Sequence, residues 1–234
     1  MLLLTGAAAY GAIYSSYNSG TLNTTIPDGD PNGISSTINV SGSGGLRVVA
    51  VQVFLEVSGG YNGDLDAYLS FGGHAAVLLN RIGKTGSDPF GYDTAGFGDG
   101  SHTFNNGGTW YSFMLDDAAS TDIHTYSGGT SGDPITGAYQ PDGRTTDPQL
   151  VVDTDARGAP LGSFDSLSPN GDWTLFFADM AGGGGSGSST LVGWGLEIES
   201  VPEPANVALG LCGGIFGIIT LWRRRESLIQ CLFR

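Results

Sequence analysis

The chain has 234 residues, which is enough for one substantial domain and short targeting segments. Forty glycines and a charged fraction of only 14% indicate many turns and little exposed helix. The formal net charge is −14, and the residues up to Glu203 carry 22 acidic against 5 basic side chains, a charge of −17. So acidic a body repels phosphate backbones, which argues against nucleic-acid binding.

The N-terminus has the pattern of an export signal. Residues 1–13 (MLLLTGAAAYGAI) are apolar with small residues, and Ala7-Ala8-Ala9 offers a cleavage pattern. We therefore expect a signal peptide over residues 1–14. A basic segment before the apolar run is missing, so the natural start could lie upstream of Met1. The alternative is a buried N-terminal strand or helix. Residues 15–25 are rich in Ser, Asn, Thr and Gly and fit a linker or an early edge strand.

From Ile26 onward the chain consists of short apolar runs separated by turn signals such as Asn62-Gly63. Period-two alternation in these runs predicts half-buried strands. The predicted strands are 34–40, 46–57, 65–71, 75–80, 110–115, 173–178 and 191–198. In the longest run we expect one shared face for Val49, Val51, Val53, Leu55 and Val57.

Many short strands without an amphipathic helix predict an all-β fold, a β-sandwich or jelly roll, over residues 26–199. Residues 86–108 and 143–160 are interpreted as long surface excursions. The glycine-rich residues 182–189 are predicted to be a hairpin loop. The last two strands would then pair as a terminal hairpin, with Trp173 and Trp194 near the core; a sugar-stacking role for each tryptophan is the alternative.

The C-terminal stretch has three parts in a fixed order. Pro202-Glu203-Pro204 is stiff and extended, because each proline fixes its own φ and restricts the preceding residue. Residues 205–222 carry no charge, and a helix of that length spans about 27 Å, close to the bilayer core of about 30 Å. Arg223, Arg224 and Arg225 would hold its end in the cytoplasm. Residues 226–234 would then be a cytoplasmic tail, with the sandwich outside.

Residues 201–225 resemble the PEP-CTERM sorting signal of Gram-negative bacteria that secrete exopolysaccharide. The resemblance implies recognition of Pro202, Glu203, Pro204 and the three arginines by an exosortase, a membrane-embedded enzyme thought to cut near the tripeptide. The expected route is export, inner-membrane anchoring and release to the cell surface or biofilm matrix. Residues 226–234 depart from the pattern, since such tails usually end soon after the arginines. An ordinary anchor without processing is the alternative.

Residues 26–199 resemble the P/Homo B domain, the β-sandwich behind the catalytic domain of subtilisin-like proprotein convertases. The resemblance rests on residues 26–28 and 33–38, on 61–69 (YNGDLDAYL), on 115–119 and 135–141, and on the closing segments 170–175, Asp179 and 193–196. It implies a β-sandwich over most of these residues. Phe71-Gly72-Gly73-His74 and the two excursions depart from the family pattern.

Catalytic residues are not evident in the sequence. The three histidines, His74, His102 and His124, do not lie beside a serine-nucleophile signature, and no Gly-x-Ser-x-Gly occurs. The 234 residues also leave no room for a subtilisin domain beside the predicted sandwich. We therefore expect a protein that is not an enzyme, with the histidines either exposed in loops or hydrogen-bonded.

Calcium is the one cofactor that the acidic residues suggest. Residues 28–33 (DGDPNG) match the first half of a calcium loop, but position twelve is Asn39, so a tight turn is the alternative. Asp64 and Asp66 are expected on the same strand face, and Asp172 and Asp179 flank a neighbouring strand, so these carboxylates could also converge on an ion. The candidate ligands are Asp28, Asp30, Asp64, Asp66, Asp172 and Asp179.

Three functions remain open at this point. The leading hypothesis is an exported, non-enzymatic surface or matrix protein with a binding or structural module. An accessory domain that stabilises or targets a separately encoded protease is the second. A lectin-like glycan-binding module is the third. The expected partners are exosortase, the membrane before processing, and exopolysaccharide or a protease.

Overall fold

A computed structural model of the chain describes residues 11–98, 103–128, 130–182 and 187–203. These residues form short strands and three single turns of 3₁₀ helix, Asn62–Asp64, Ile123–Thr125 and Leu161–Phe164. The strands are β1 (Ile13–Asn18), β2 (Thr24–Thr25), β3 (Ile34–Val40), β4 (Leu46–Ser58), β5 (Leu65–Phe71), β6 (His74–Asn80), β7 (Phe104–Asn106), β8 (Thr109–Tyr111), β9 (Phe113–Asp116), β10 (Gly137–Tyr139), β11 (Gly171–Asp179) and β12 (Thr190–Pro202).

Two main sheets face each other across the core. The larger has the order β1-β12-β4-β9-β10, with β2 added to β12, and the smaller has the order β3-β11-β5-β6. Strands β9 and β10 are parallel, whereas the other pairs in the two sheets are antiparallel. A separate two-stranded ribbon, β7-β8, completes the described fold. The prediction of an all-β, sandwich-like domain is confirmed.

Alternation along the strands fills the space between the sheets. In β5, Leu65, Ala67 and Leu69 are fully buried while Tyr68 between them is exposed. Trp173 on β11 and Trp194 on β12 are both fully buried. A buried large side chain contributes on the order of 2 kcal/mol or more, so these faces account for much of the stability.

The shared face predicted for the longest strand holds from Val51 onward but is wrong at Val49. Val49 is 40% exposed, and Val48 is buried in its place. The register between β4 and β12 shifts at this point, since Glu199 pairs with Ala50 but Ser200 pairs with Val48. A β-bulge inserts one extra residue and turns the preceding side chains to the other face.

The predicted terminal hairpin is also wrong. β11 lies in the smaller sheet between β3 and β5, whereas β12 lies in the larger sheet between β1 and β4. Both strands bury their tryptophans because they contribute to opposite walls of one core. The connection 182–189 therefore crosses from one sheet to the other; residues 183–186 lie outside the described part.

Other boundaries were close to the sequence prediction. Strands 34–40 and 65–71 match, and the predicted strand 110–115 is divided at Ser112 into β8 and β9. The end of the predicted excursion 86–108 contains β7. Residues 15–25 contribute edge strands rather than a linker, because β1 and β2 both pair with β12. β1 begins at Ile13, within the predicted signal segment.

The described residues contain no helix long and apolar enough to cross a bilayer. The predicted membrane helix, residues 205–222, and the residues after it lie outside the described part of the chain.

Candidate functional site: an aromatic and acidic pocket

A cavity of about 350 Å³ lies at one end of the sandwich, where three segments meet. They are the 3₁₀ turn before β5, the glycine-rich excursion after β6, and the loop after β11. Its walls are formed by Tyr61, Asp64, Phe90, Gly91, Tyr92, Asp93, Ala181 and Gly182. The mixture of aromatic rings and carboxylates distinguishes it from an apolar crevice.

Asn62 attaches the excursion to the sandwich and so builds one wall of this pocket. Its buried side-chain amide donates to Thr94 Oγ1 at 2.9 Å and to the carbonyl of Gly96 at 2.8 Å. The amide N–H of Gly96 donates back to Asn62 Oδ1 at 2.8 Å. Gly63 packs so closely on Gly91 that a Cβ at position 63 would lie 2.6 Å from the carbonyl oxygen of Phe90.

The Asp64 carboxyl group has an unusual environment. Burial and the negative charge of Asp179 raise its pKa to about 6, while Arg81, 3.4 Å away, acts in the opposite direction; Asp28 adds a further negative charge. The pKa of Asp179 is raised as well, mainly by burial. Negative charge is therefore concentrated behind the pocket in excess of the nearby positive charge.

A second cluster of polar side chains is buried around His124. His124 Nδ1 lies 2.6 Å from Asp142 Oδ2, and Nε2 lies 2.9 Å from the carbonyl oxygen of Lys84. Both residues of the pair are fully buried, and Asp142 also contacts Arg144 at 3.2 Å. Arg144 in turn pairs with Asp122 at 2.9 Å.

The contacts of His124 indicate a doubly protonated ring. Burial acts to lower its pKa, but the hydrogen bond and charge of Asp142 and the Lys84 carbonyl outweigh burial, so the pKa is raised. Both partners accept hydrogen bonds, which leaves neither ring nitrogen available to take a proton from a substrate. The cluster thus resembles a structural ion network more than a catalytic base.

Asp66 forms a third titratable site, on the smaller sheet. It pairs with Asn80 across β5 and β6, and burial together with the charges of Asp142 and Asp147 raises its pKa to about 7. Asn80 is 2% exposed, and its Oδ1 has no hydrogen-bond partner although its Nδ2 donates to two backbone carbonyls. Directly paired side chains lie on the same face of a sheet.

The structure separates the six predicted calcium ligands. Asp28, Asp64 and Asp179 are close enough to affect one another's charge. Asp66 faces Asp142 and Asp147 instead, and Asp172 lies at the other end of β11, about 23 Å from Asp179 by strand length.

Asp30 belongs to a tight turn. Its Oδ1 accepts from the backbone N–H of Asn32 at 2.9 Å, and its carbonyl accepts from Gly33 N–H at 3.1 Å. The tight-turn alternative for residues 28–33 is therefore the conformation seen. In the described residues, no group of three or more His, Cys, Asp or Glu side chains is placed to hold a metal ion. Calcium binding stays a prediction.

Part of the predicted sorting signal lies within the fold. Pro202 ends β12, and Glu203 forms an ion pair of 2.6 Å with Arg47 and a backbone hydrogen bond to Gly45. Pro204 and the three arginines Arg223, Arg224 and Arg225 lie outside the described residues. Of the other histidines, His74 is exposed at the start of β6, and His102 lies outside the described part as well.

Neither the pocket nor the His124 cluster was predicted. The contact between His124 and Asp142 joins two irregular segments, and Pro141-Asp142-Gly143 has the sequence of an ordinary turn. Phe90 and Tyr92 within a glycine-rich excursion were the one available signal for the pocket, because exposed aromatic residues in loops often contact ligands.

None of the family models and none of the curated proteins compared with this chain matches it. Solved structures that are similar include the serine protease of Aeromonas sobria in complex with its chaperone, ORF2, at 17% identity and a TM-score of 0.41. That alignment covers 81% of this chain and 26% of the other. A structure of the protease reported without the chaperone gives 16% identity, the same TM-score, and coverage of 82% and 27%. The chain thus spans about a quarter of the length of these neighbours.

Proposed function

We propose that the chain is an exported, non-enzymatic surface or exopolysaccharide-matrix protein of a Gram-negative bacterium. Its sandwich is displayed as a binding or structural module, and its tail is sorted by an exosortase. The ordered pattern of residues 201–225 supports the sorting step, and the strongly acidic body supports a location outside the cell, where it stays soluble.

One geometric observation carries the display role: the C-terminal end of β12 and the pocket lie at opposite ends of the sandwich. β12 leads directly into the sorting tripeptide at Pro202, where it pairs with Leu46. Its other end, Thr190, pairs with Ser58, three residues before Tyr61 of the pocket. Thirteen residues of strand span about 40 Å. A domain anchored at Pro202 therefore presents the pocket away from the anchor.

The engagement of His124 supports a non-enzymatic role. General base catalysis needs a side chain that can reach and accept a proton from a substrate. His124 is fully buried, and both its nitrogens are hydrogen-bonded to Asp142 and Lys84. Hydrolysis of peptides or glycans by the purified full-length chain, abolished by a single side-chain change, would contradict this role.

The sorting step is tested by intact mass and cell fractionation in a Gram-negative host that contains an exosortase. We expect the wild-type product in the outer fraction, shortened near Pro202 to Pro204. A variant with Arg223, Arg224 and Arg225 replaced by serine should keep its tail and stay in the inner membrane. Arg234→Ser, an arginine outside the sorting signal, is the matched control and should be processed like the wild type.

Two results would overturn the proposal. The wild type and the triple variant could have equal mass and location, or the wild type could be found uncut in the cytosol. Recovery of a protease together with the tagged wild-type protein from the outer fraction would favour the accessory-domain function instead.

A further inference from the structure

The walls of the pocket are aromatic on the solvent side. Phe90 is 77% exposed, the most exposed large hydrophobic side chain among the described residues. Tyr61 and Tyr92 are half-buried beside it, and the Tyr92 ring is held by an edge-to-face contact with Tyr126 at 5.1 Å and by a hydroxyl hydrogen bond to Gly128. Phe90 therefore presents an uncovered aromatic face at the mouth of the cavity, where a ligand can pack against it.

The pocket is also lined by carboxyl groups. They belong to Asp64 and the exposed Asp93, and Asp28 and Asp179 lie close enough to add their negative charges to the environment of Asp64. Arg81, which donates to Asp64 and to the carbonyl oxygens of Gly63 and Pro89, contributes one positive charge against these four carboxyl groups. The pocket therefore keeps an excess of negative charge.

Aromatic faces together with carboxylates select one ligand chemistry. The negative face of an aromatic ring attracts a cation, most strongly one that is weakly hydrated and carried on an apolar stem. A small metal ion instead prefers a cage of oxygen ligands, which these walls do not offer. An anion would be repelled, and a neutral sugar would leave the excess charge uncompensated.

We infer that this pocket binds the basic side chain of a partner protein, a lysine or arginine, with its charged head against Asp64 and Asp93 and its stem against Phe90. This assignment deepens the proposed function, because it names the partner chemistry of the displayed module. It depends on that function only for its place in the cell, so binding by the purified protein can hold or fail independently of sorting.

The experiment uses the full-length chain in a mild nonionic detergent and ligand-observed NMR. The probe is Nα-acetyl-lysine methylamide, whose side-chain ammonium is free. Nα-acetyl-norleucine methylamide is its uncharged counterpart, and methyl glucoside represents a neutral glycan. We expect saturable binding of the lysine probe, weakened by added NaCl, and several-fold weaker binding of the other two compounds. Equal binding of the lysine and norleucine probes, or binding of the glucoside alone, would overturn the inference.

Two variants and two matched controls locate the binding site. Phe90→Ala should weaken binding of the lysine probe about two- to five-fold, and Asp93→Asn about two-fold or more. Trp110→Ala removes another exposed aromatic side chain, from the β7-β8 ribbon, and Asp172→Asn removes an exposed carboxylate at the far end of β11. Both controls should bind like the wild type. Equal loss in controls and pocket variants would contradict the assignment.

Discussion

Trp194 and Ser36 join the two sheets of the sandwich through a hydrogen bond across the core. The indole Nε1 of Trp194 on β12 donates to Oγ of Ser36 on β3 at a distance of 2.9 Å. Trp194 is fully buried, so its N–H has no access to water. A hydroxyl on the facing sheet therefore satisfies the one polar group that this large side chain brings into the core.

Ser36→Ala tests that relationship. The substitution leaves the buried indole N–H without its acceptor, and we expect the free energy of unfolding to fall by about 1–3 kcal/mol. Urea unfolding monitored by tryptophan fluorescence measures it. Ser35→Ala is the matched control, because Ser35 is exposed on the same strand, and it should change stability by less than about 0.5 kcal/mol. Equal effects of the two changes would show that the bond contributes nothing.

The strands could be predicted because their signal is local. In β3 and β5, alternation alone gave the strand boundaries. The bulge that buries Val48 could not be predicted, since it depends on how β4 pairs with β12, a strand about 150 residues later. The predicted hairpin of β11 and β12 failed for the same reason: two alternating strands close in sequence favour a hairpin locally, but tertiary packing places them in opposite sheets.

The candidate site was less predictable than the fold. His124 and Asp142 lie on different irregular segments, and no periodicity connects them. The carboxylates around Asp64 were recognised as a group near strand ends, but Asp66, two residues away, faces Asp142 and Asp147 instead. Asp64 belongs to the 3₁₀ turn rather than to the strand, so the expected shared face for Asp64 and Asp66 was wrong.

His124→Ala should destabilise the domain, because it leaves buried Asp142 without one of its two ionic partners. Loss of one member of a buried pair typically lowers the free energy of unfolding by about 3 kcal/mol. The pKa of His124 is raised above its unfolded-state value of 6.5. The charged ring therefore contributes to the free energy of unfolding below pH 6.5, and this contribution is lost as the pH rises through the folded-state pKa. The difference between wild type and variant should therefore shrink as the pH rises above 6.5.

Urea unfolding at several pH values checks the His124 prediction, with His74→Ala as the control. His74 is exposed, and its removal should change stability by less than about 0.5 kcal/mol. A deficit in His124→Ala that is independent of pH would show that the ring is not charged in the folded protein.

Asp66→Asn should stabilise the protein at alkaline pH. The pKa of Asp66 is raised from 3.8 to about 7, so its carboxyl group favours folding below pH 3.8, and this advantage is lost as pH rises toward 7. The variant should gain on the order of 2 kcal/mol at pH 8 and almost nothing at pH 4. Its new amide could also donate to the unpartnered Oδ1 of Asn80 on the paired strand.

Thermal and urea unfolding of Asp66→Asn at pH 4 and pH 8 measures this pH dependence. Asp172→Asn is the control, since Asp172 is exposed and its removal should have a small effect at both values. A variant that is no more stable than the wild type at pH 8 would contradict the buried, charge-crowded environment assigned to Asp66.

Gly33→Ala tests the turn that brings Asp28 toward the pocket end of the sandwich. Gly33 has a φ of +53°, and a Cβ there would lie 2.0 Å from the carbonyl oxygen of Phe177, so the backbone of β11 or of the turn must move. We expect a loss of about 2 kcal/mol or more in the free energy of unfolding. Gly44→Ala, where a Cβ meets nothing within 4 Å, should change stability little or raise it slightly. If both alanines were tolerated equally, the close approach of the turn to β11 would be refuted, and with it the position of Asp28 beside Asp64 and Asp179.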